Sequence, residues 1–165
     1  MKVSLFWRVI EHARRKAEGK NAWETTSRQA ALLVRHLTKQ DPEEIADFER
    51  HFSWYMANAY TREMWLAVYL INGHCDFAVF DRHLSWLIGQ GSRKYAAAVD
   101  EPDSMAPYAE RSIDTDDMLY VGYRAYKLAT GAEVEQAILS AHGGMIDQPD
   151  DMNFLAMQFP NLADR

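Results

Sequence analysis

The sequence predicts an all-α fold: a single compact domain, residues 1–165, of about seven to nine short helices around a buried central helix. Apolar residues recur at three- and four-residue steps over most of the chain, and capping residues and glycines delimit these segments. No stretch shows the period of two that is typical of half-buried strands. The chain has 165 residues, of which 48% are hydrophobic and 25% charged. It is therefore long enough to bury a core without disulfides or metal.

The central helix is predicted over eight consecutive apolar residues, Met64 to Ile71. A segment that is apolar on every side must be enclosed by protein, because each Å² left in water forgoes roughly 25 cal/mol. Thr61 supplies an N-cap, and Asn72-Gly73 closes the segment. Periodicity alone also fits a buried strand. The Met, Ala and Leu content, the cap and the lack of a second strand to pair with favour a helix.

Three helices are predicted before this segment. The first is capped by Ser4 and stops at Gly19, and the second runs from about Trp23 to Lys39. The third starts at Asp41-Pro42-Glu43-Glu44, a capping carboxylate followed by proline in the first turn and glutamate at the third position. The far side of the first helix is basic and is interpreted first as a solvated helix end; its cations are Arg8, Arg14, Arg15 and Lys16.

The segments after the central helix are predicted from the same signals. Asp76 caps a helix that runs to about Gly91, and residues 100–115 form a loop because they contain two prolines and several acidic side chains. The remaining predicted helices begin at Ser92, ending near Val99; at Asp114 or Thr115, ending at Gly131; at Glu133, ending at Ala141; and near Asp150, ending before Pro160.

The formal charge of −6 is unevenly distributed. Residues 1–95 hold 14 Lys/Arg against 11 Asp/Glu, a balance of +3, and residues 96–165 hold 4 against 13, a balance of −9. The asymmetry indicates either a partner surface or two halves that fold onto one another with complementary faces. A nucleic-acid partner is disfavoured, because phosphate binding needs a net basic face.

The cellular location is predicted from the cysteine count and the apolar runs. The only cysteine, Cys75, excludes an intramolecular disulfide and fits a reducing compartment. The longest apolar run is far shorter than the roughly 20 residues that span a bilayer. We therefore expect a cytoplasmic protein that does not enter the membrane.

Several short motifs occur in an order and spacing that resemble a bacterial family of unknown function, the domain-of-unknown-function family numbered 4240. They are Phe6-Trp7, Pro42-Glu43-Glu44-Ile45, Leu66 to Gly73, Trp86-Leu87-Ile88 with Gln90-Gly91, and Pro102-Asp103-Ser104-Met105. The resemblance covers about residues 4–125 and leaves an acidic C-terminal part, 126–165, which is expected to pack on the rest.

The resemblance implies a shared fold but no activity, because none is established for that family. Its members usually carry paired aspartates and an arginine before the Trp-Leu-Ile motif. This sequence has Phe77-Ala78 and Leu84 at those positions, with Arg82 and His83 close by. A polar site in relatives therefore does not transfer to this chain.

The densest set of candidate ligands or catalytic groups is His74, Cys75, Asp81 and His83. Zinc would need three or four of these groups to converge at about 2.0–2.3 Å. Alternatively, Cys75 would be a nucleophile at a helix N-terminus with a histidine as base. The structural alternative is a capping turn beside a buried thiol. Because no C-x-x-C pair or H-E-x-x-H motif is present, we expect no catalytic set, no metal and no cofactor.

Exposed aromatic side chains and the turn acids are candidates for a partner surface, namely Tyr120, Tyr123, Asp100, Glu101 and Asp103. The structural alternative makes them core, rim and turn residues. The leading hypothesis is a non-catalytic protein-interaction domain of the bacterial cytoplasm, as in a regulatory adaptor or an immunity-type protein. Its partner would be another protein or a second copy of the chain. The alternative is a hydrolase or metal-dependent enzyme using the His74 to His83 region.

Overall fold

The computed structural model describes residues 1–133 and 151–165, and within these ranges it contains helices and turns but no β-strand. This confirms the predicted all-α class. None of the described helices is both long and apolar enough to cross a lipid bilayer. The predicted helix from Glu133 to Ala141 lies outside the described residues from position 134 onward. The described α-helices are α1 (Val3–Lys16), α2 (Ala22–Leu37), α3 (Pro42–Asn58), α4 (Arg62–Asn72), α5 (Phe77–Gly89), α6 (Ser92–Asp100), α7 (Val121–Thr130), α8 (Met152–Gln158) and α9 (Pro160–Ala163).

Two of the predicted N-caps are confirmed, and so are two predicted glycine stops, Gly73 after α4 and Gly131 after α7. The Thr61 hydroxyl accepts a hydrogen bond from the Met64 N–H at 3.2 Å, and the Asp76 carboxylate accepts one from the Val79 N–H at 2.8 Å. Gly73 ends α4 with φ at 78°, a left-handed conformation that favours glycine. Local chemistry therefore fixes both sides of the α4–α5 turn.

Helix α6 lies where it is predicted, but a distant side chain, rather than Ser92, supplies its cap. Gly91, with φ at 98°, precedes the helix, and Ser92 is its first residue. The Glu11 carboxylate on α1 accepts hydrogen bonds from the Ser92 N–H at 3.1 Å and the Ser92 hydroxyl at 2.7 Å. A contact between residues 81 positions apart thus replaces the expected local cap.

Two helix starts differ from the prediction. Helix α1 follows Lys2 rather than Ser4, and Ser4 lies inside its first turn. The helix predicted from Asp114 or Thr115 begins instead as a short 3₁₀ helix, Asp117–Tyr120, that leads into α7. The Thr115 hydroxyl accepts a hydrogen bond from the Asp117 N–H at 3.2 Å and so stabilises this tighter turn.

Helix α5, rather than α4, is the element around which the others pack. It contacts α1, α2, α3, α4, α6 and the 3₁₀ helix before α7. Helix α4 is buried along Met64 to Val68 and at Ile71, but Tyr69 and Leu70 are half-buried, so the apolar run is not fully enclosed.

A buried amide ties α1 and α2 to α5. The side chain of Gln29 on α2 donates to the Ile10 carbonyl at 3.2 Å and to the Gly89 carbonyl at 2.9 Å. Gln29 is buried, and a Cβ added at Gly89 would lie 3.0 Å from the Gln29 side-chain oxygen. Glycine at this position therefore permits the close approach of α2 to the end of α5.

The C-terminal helices dock through a buried carboxylate. Asp103 lies in the 3₁₀ helix Pro102–Met105, and its oxygens accept the Asn161 N–H at 3.1 Å and the Leu162 N–H at 2.8 Å. The Asn161 side chain adds a third hydrogen bond at 2.6 Å. Helices α8 and α9 also contact α4.

Candidate functional site

The predicted catalytic or metal-ligating residues occupy different surroundings. His74 and His83 line one small cavity of about 220 Å³, whereas Cys75 and Asp81 do not line it. Residues 72, 79, 82 and 112–114 form its other walls. Across the described part of the chain, no group of three or more His, Cys, Asp or Glu side chains is arranged to hold a metal ion.

His83 is a buried, neutral imidazole. Its side chain is 1% exposed, and neither ring nitrogen has a hydrogen-bond partner among the described residues. Burial lowers the pKa of His83 to about 4, because the interior disfavours the charged ring. At neutral pH such a ring takes up a proton poorly, so it is a weak candidate for a general base.

Cys75 is a buried thiol in an electronegative environment. Its sulfur donates to the Asp76 carbonyl oxygen at 3.7 Å. Burial, with the negative charges of Asp76 and Asp81, raises the pKa of Cys75 to about 12. Because the thiolate is the reactive species, the raised pKa makes Cys75 a weak candidate for a nucleophile at neutral pH.

The candidate partner residues differ in accessibility. Asp100, Glu101 and Tyr120 are exposed. Tyr123 is half-buried and donates to Glu133 at 2.9 Å. Asp103 is buried, and both of its oxygens accept hydrogen bonds from the start of α9, so its role in the described structure is to hold the C-terminal helices.

The most distinctive surface is a groove between α1 and α2, which we call the α1–α2 groove. It has a volume of about 450 Å³. Its apolar residues are Leu5, Val9, Ala13, Leu32 and Leu33, and its basic residues are Arg8, His12, Lys16, Arg35, His36 and Lys39. No acidic side chain lines it. The groove therefore combines an apolar floor with a basic rim.

Helix geometry explains how the rim forms. Arg8, His12 and Lys16 lie four residues apart and so share one face of α1. Arg35 lies in the last turn of α2, and Lys39, four residues on, lies in the turn that follows Leu37. The short connection, residues 17–21, folds the two helices back on each other as an α-hairpin. The two basic rows therefore border the same groove.

The rim charges are not neutralised within the described residues. All six basic side chains are exposed, and none forms an ion pair with a carboxylate there. By contrast, Arg50, Arg82 and Arg124 each pair with aspartate. The rim contains four permanent positive charges, from Arg8, Lys16, Arg35 and Lys39, and two histidines.

Sequence reasoning identified only half of this groove. It noted Arg8 and Lys16 as a solvated basic side of the first helix but singled out no basic residue of α2. The available signal was the Arg35 to Lys39 spacing beside Leu32 and Leu33, on a helix that follows α1 after a short connection. A basic row next to apolar positions on two consecutive helices indicates a shared groove.

Fold and surface together define a small helical protein with a groove that has an apolar floor and a basic rim. In the described ranges, no set of side chains is arranged to bind a metal ion. The chain belongs to the family described as "Protein of unknown function (DUF4240)", whose sequence model matches residues 1–128. This confirms the resemblance that the short motifs indicated. No curated protein and no solved structure matches the chain.

Proposed function

We propose that this protein is a non-catalytic protein-interaction domain whose α1–α2 groove binds an acidic, amphipathic helix of a partner protein. The observation that carries the proposal is the combination of an apolar floor with six exposed basic side chains that lack ion pairs among the described residues. An amphipathic helix laid in a groove is a common recognition mode, in which apolar anchors fill the floor and flanking charges set specificity.

The floor can accept the apolar anchors of such a helix. A groove of about 450 Å³ lies within the range of sites that enclose several side chains. Leu5 is exposed and Leu32 half-buried, so each has apolar surface left to cover. Covering it would contribute roughly 25 cal/mol for each Å² removed from water.

The rim favours carboxylates on the partner. Glutamate or aspartate side chains beside the apolar anchors would lie near Arg8 and Lys16 on one side and Arg35 and Lys39 on the other. Complementary charges of this kind raise association rates and exclude basic competitors. Because no described carboxylate neutralises the rim, its charge is available to a partner.

The alternative of a hydrolase or metal-dependent enzyme has less support. The thiol of Cys75 is protonated at neutral pH, and His83 is buried with a lowered pKa. As part of the proposal, we assign the protein to the bacterial cytoplasm, for which the single unpaired cysteine is the supporting observation. A regulatory adaptor or immunity-type protein would fit such a binding role.

Fluorescence anisotropy with a labelled synthetic peptide tests the proposal. The peptide carries leucines at i, i+3, i+4 and i+7 and glutamates beside them, and a scrambled peptide of the same composition is the peptide control. We expect the ordered peptide to bind more tightly than the scrambled one, with an affinity that falls as salt rises.

Charge-reversal variants then locate the binding. Arg35→Glu with Lys39→Glu should weaken binding at least tenfold, because two favourable charges become repulsive. Arg62→Glu with Arg111→Glu reverses two exposed cations outside the groove and should leave the affinity close to wild type. Equal loss in both variants, or no preference for the ordered peptide, would contradict the proposal.

A further inference from the structure

A second basic cavity lies on another side of α1, where its C-terminal half meets the start of α6. We call it the α1–α6 junction. It has a volume of about 460 Å³ and shares no lining residue with the α1–α2 groove. Its lining residues are Arg14 and Arg15 from α1, Arg93 and Lys94 from α6, and Glu11, Gln90, Gly91 and Ser92.

The cations of the junction lack the counter-charges that partly buried cations normally have. Arg14 is half-buried, and its only side-chain partner among the described residues is the neutral Gln90 amide oxygen, at 3.4 Å. Burial lowers the pKa of Arg14. Removing a charge from water is unfavourable unless an opposite charge compensates for it.

Lys94 is a second partly buried cation without a carboxylate partner among the described residues. Its ammonium group lies 4.3 Å from the centre of the Tyr108 ring. Burial lowers the pKa of Lys94, and the charges of Arg14 and Arg93 lower it further. None of the four cations forms an ion pair with a described carboxylate.

Glu11 is the single carboxylate of the junction, and the fold already uses it. One of its oxygens accepts both the N–H and the hydroxyl of Ser92. A Cβ added at Gly91 would lie 3.0 Å from the Glu11 Cγ atom, so the turn is built closely around this side chain. Four positive charges against one negative charge leave the junction with +3.

We propose that the α1–α6 junction binds a small molecule carrying two or more phosphoryl groups, such as a diphosphate ester. Guanidinium groups match phosphoryl oxygens in a bidentate fashion, and three of the four cations are arginines. A diphosphate carries two to three negative charges and so approaches the local charge of the junction. A single carboxylate would leave most of that charge uncompensated.

This inference is independent of the protein-binding role, because the two surfaces share no residue. Occupation of the junction would place a negative ligand against the turn at Gly91 and against α1. The repulsion among Arg14, Arg93 and Lys94 would then be relieved. Ligand binding should therefore raise the thermal unfolding temperature of the protein.

Isothermal titration calorimetry with inorganic pyrophosphate tests the inference, with sulfate at matched ionic strength as the reference anion. We expect pyrophosphate to bind and to raise the thermal unfolding temperature, and sulfate to do neither at the same concentration. Arg15→Gln with Arg93→Gln should weaken pyrophosphate binding at least tenfold. Both side chains are exposed, so this variant should fold, and circular dichroism of the free protein checks that it does.

The matched control is Arg35→Gln with Lys39→Gln in the α1–α2 groove, which removes the same charge and should leave pyrophosphate binding unchanged. Equal loss in both variants, or equal binding of sulfate and pyrophosphate, would overturn the inference in favour of unspecific charge attraction. Single-stranded RNA that binds more tightly than pyrophosphate and displaces it would overturn the assignment to a small molecule. Absence of pyrophosphate binding would overturn the inference outright and leave the peptide experiment unaffected.

Discussion

Glu49 on α3 is a buried acid whose ionisation opposes folding. Its side chain is 7% exposed, and a Cβ added at Gly122 of α7 would overlap its carboxylate. Burial raises the pKa of Glu49 from 4.5 to about 7, and a hydrogen bond with Ser53 offsets part of this effect. The folded protein therefore holds this proton more tightly than the unfolded chain does.

The sign and the size of the effect follow from proton linkage. Because the folded pKa is raised, the stabilisation is present below pH 4.5 and is lost as pH rises to about 7. One pKa unit corresponds to about 1.4 kcal/mol, so the full difference is about 3 kcal/mol. Glu49→Gln keeps the size of the protonated acid and removes the titration. Relative to wild type, this variant should gain about 3 kcal/mol between pH 4 and pH 8.

Urea unfolding of both proteins at several values between pH 4 and pH 8 measures this gain. The difference between the stability–pH curves of wild type and Glu49→Gln is needed, because titration of His83 changes the stability with pH in the opposite direction. Its lowered pKa makes wild-type stability fall as pH drops from 6.5 to about 4, which masks Glu49 in the wild-type profile. Glu63→Gln removes the same charge from an exposed position and is the matched control. A Glu49→Gln difference that stays constant with pH, or matches the control, would refute the reasoning.

Two further predictions concern the C-terminal helices and the thiol. Asp103→Asn should destabilise the docking of α9 by about 1–3 kcal/mol, because a charged acceptor of the Asn161 and Leu162 N–H groups is replaced by a neutral amide. Amide hydrogen exchange at residues 161–163 should then accelerate, while exchange in α5 stays slow. Equal acceleration in both segments would count against the assigned role of Asp103. Because burial raises the pKa of Cys75 to about 12, a thiol reagent at neutral pH should label the native protein much more slowly than the urea-unfolded chain. Rapid labelling of the native protein would support the hypothesis that Cys75 is a nucleophile.

Local signals predicted the parts of the fold that local chemistry determines. Thr61, Asp76 and Gly73 cap or end their helices as expected, because each acts within a few residues of its own position. The capping of α6 by Glu11 was missed because Glu11 approaches from α1. The apolar run of α4 wrongly indicated that α4 is the central helix. Helix α5 contacts more of the other helices than α4 does, although its sequence is less uniformly apolar.

The candidate sites were harder to predict, because they depend on side chains brought together from distant segments. Arg35 and Lys39 gain significance only when they face Arg8 and Lys16 across the groove. Asp103 was predicted as a candidate partner contact, but folding brings Asn161 and Leu162 onto it. Glu49 is an ordinary helical glutamate by sequence, and only the approach of Gly122 reveals its burial. A single sequence contains no signal for the contacts of Asp103 and Glu49, in contrast to the spaced basic residues that border the groove.

A charge-swap measurement tests most directly whether the α1–α2 groove recognises an acidic helix. The affinities of wild type and of Arg35→Glu with Lys39→Glu are measured for the acidic peptide and for the same peptide with its glutamates replaced by lysines. We predict that wild type prefers the acidic peptide and that this preference is lost in the variant, because the apolar floor is unchanged while the two new glutamates offset the charges of Arg8 and Lys16. A preference for the acidic peptide of equal size in both proteins would contradict this prediction.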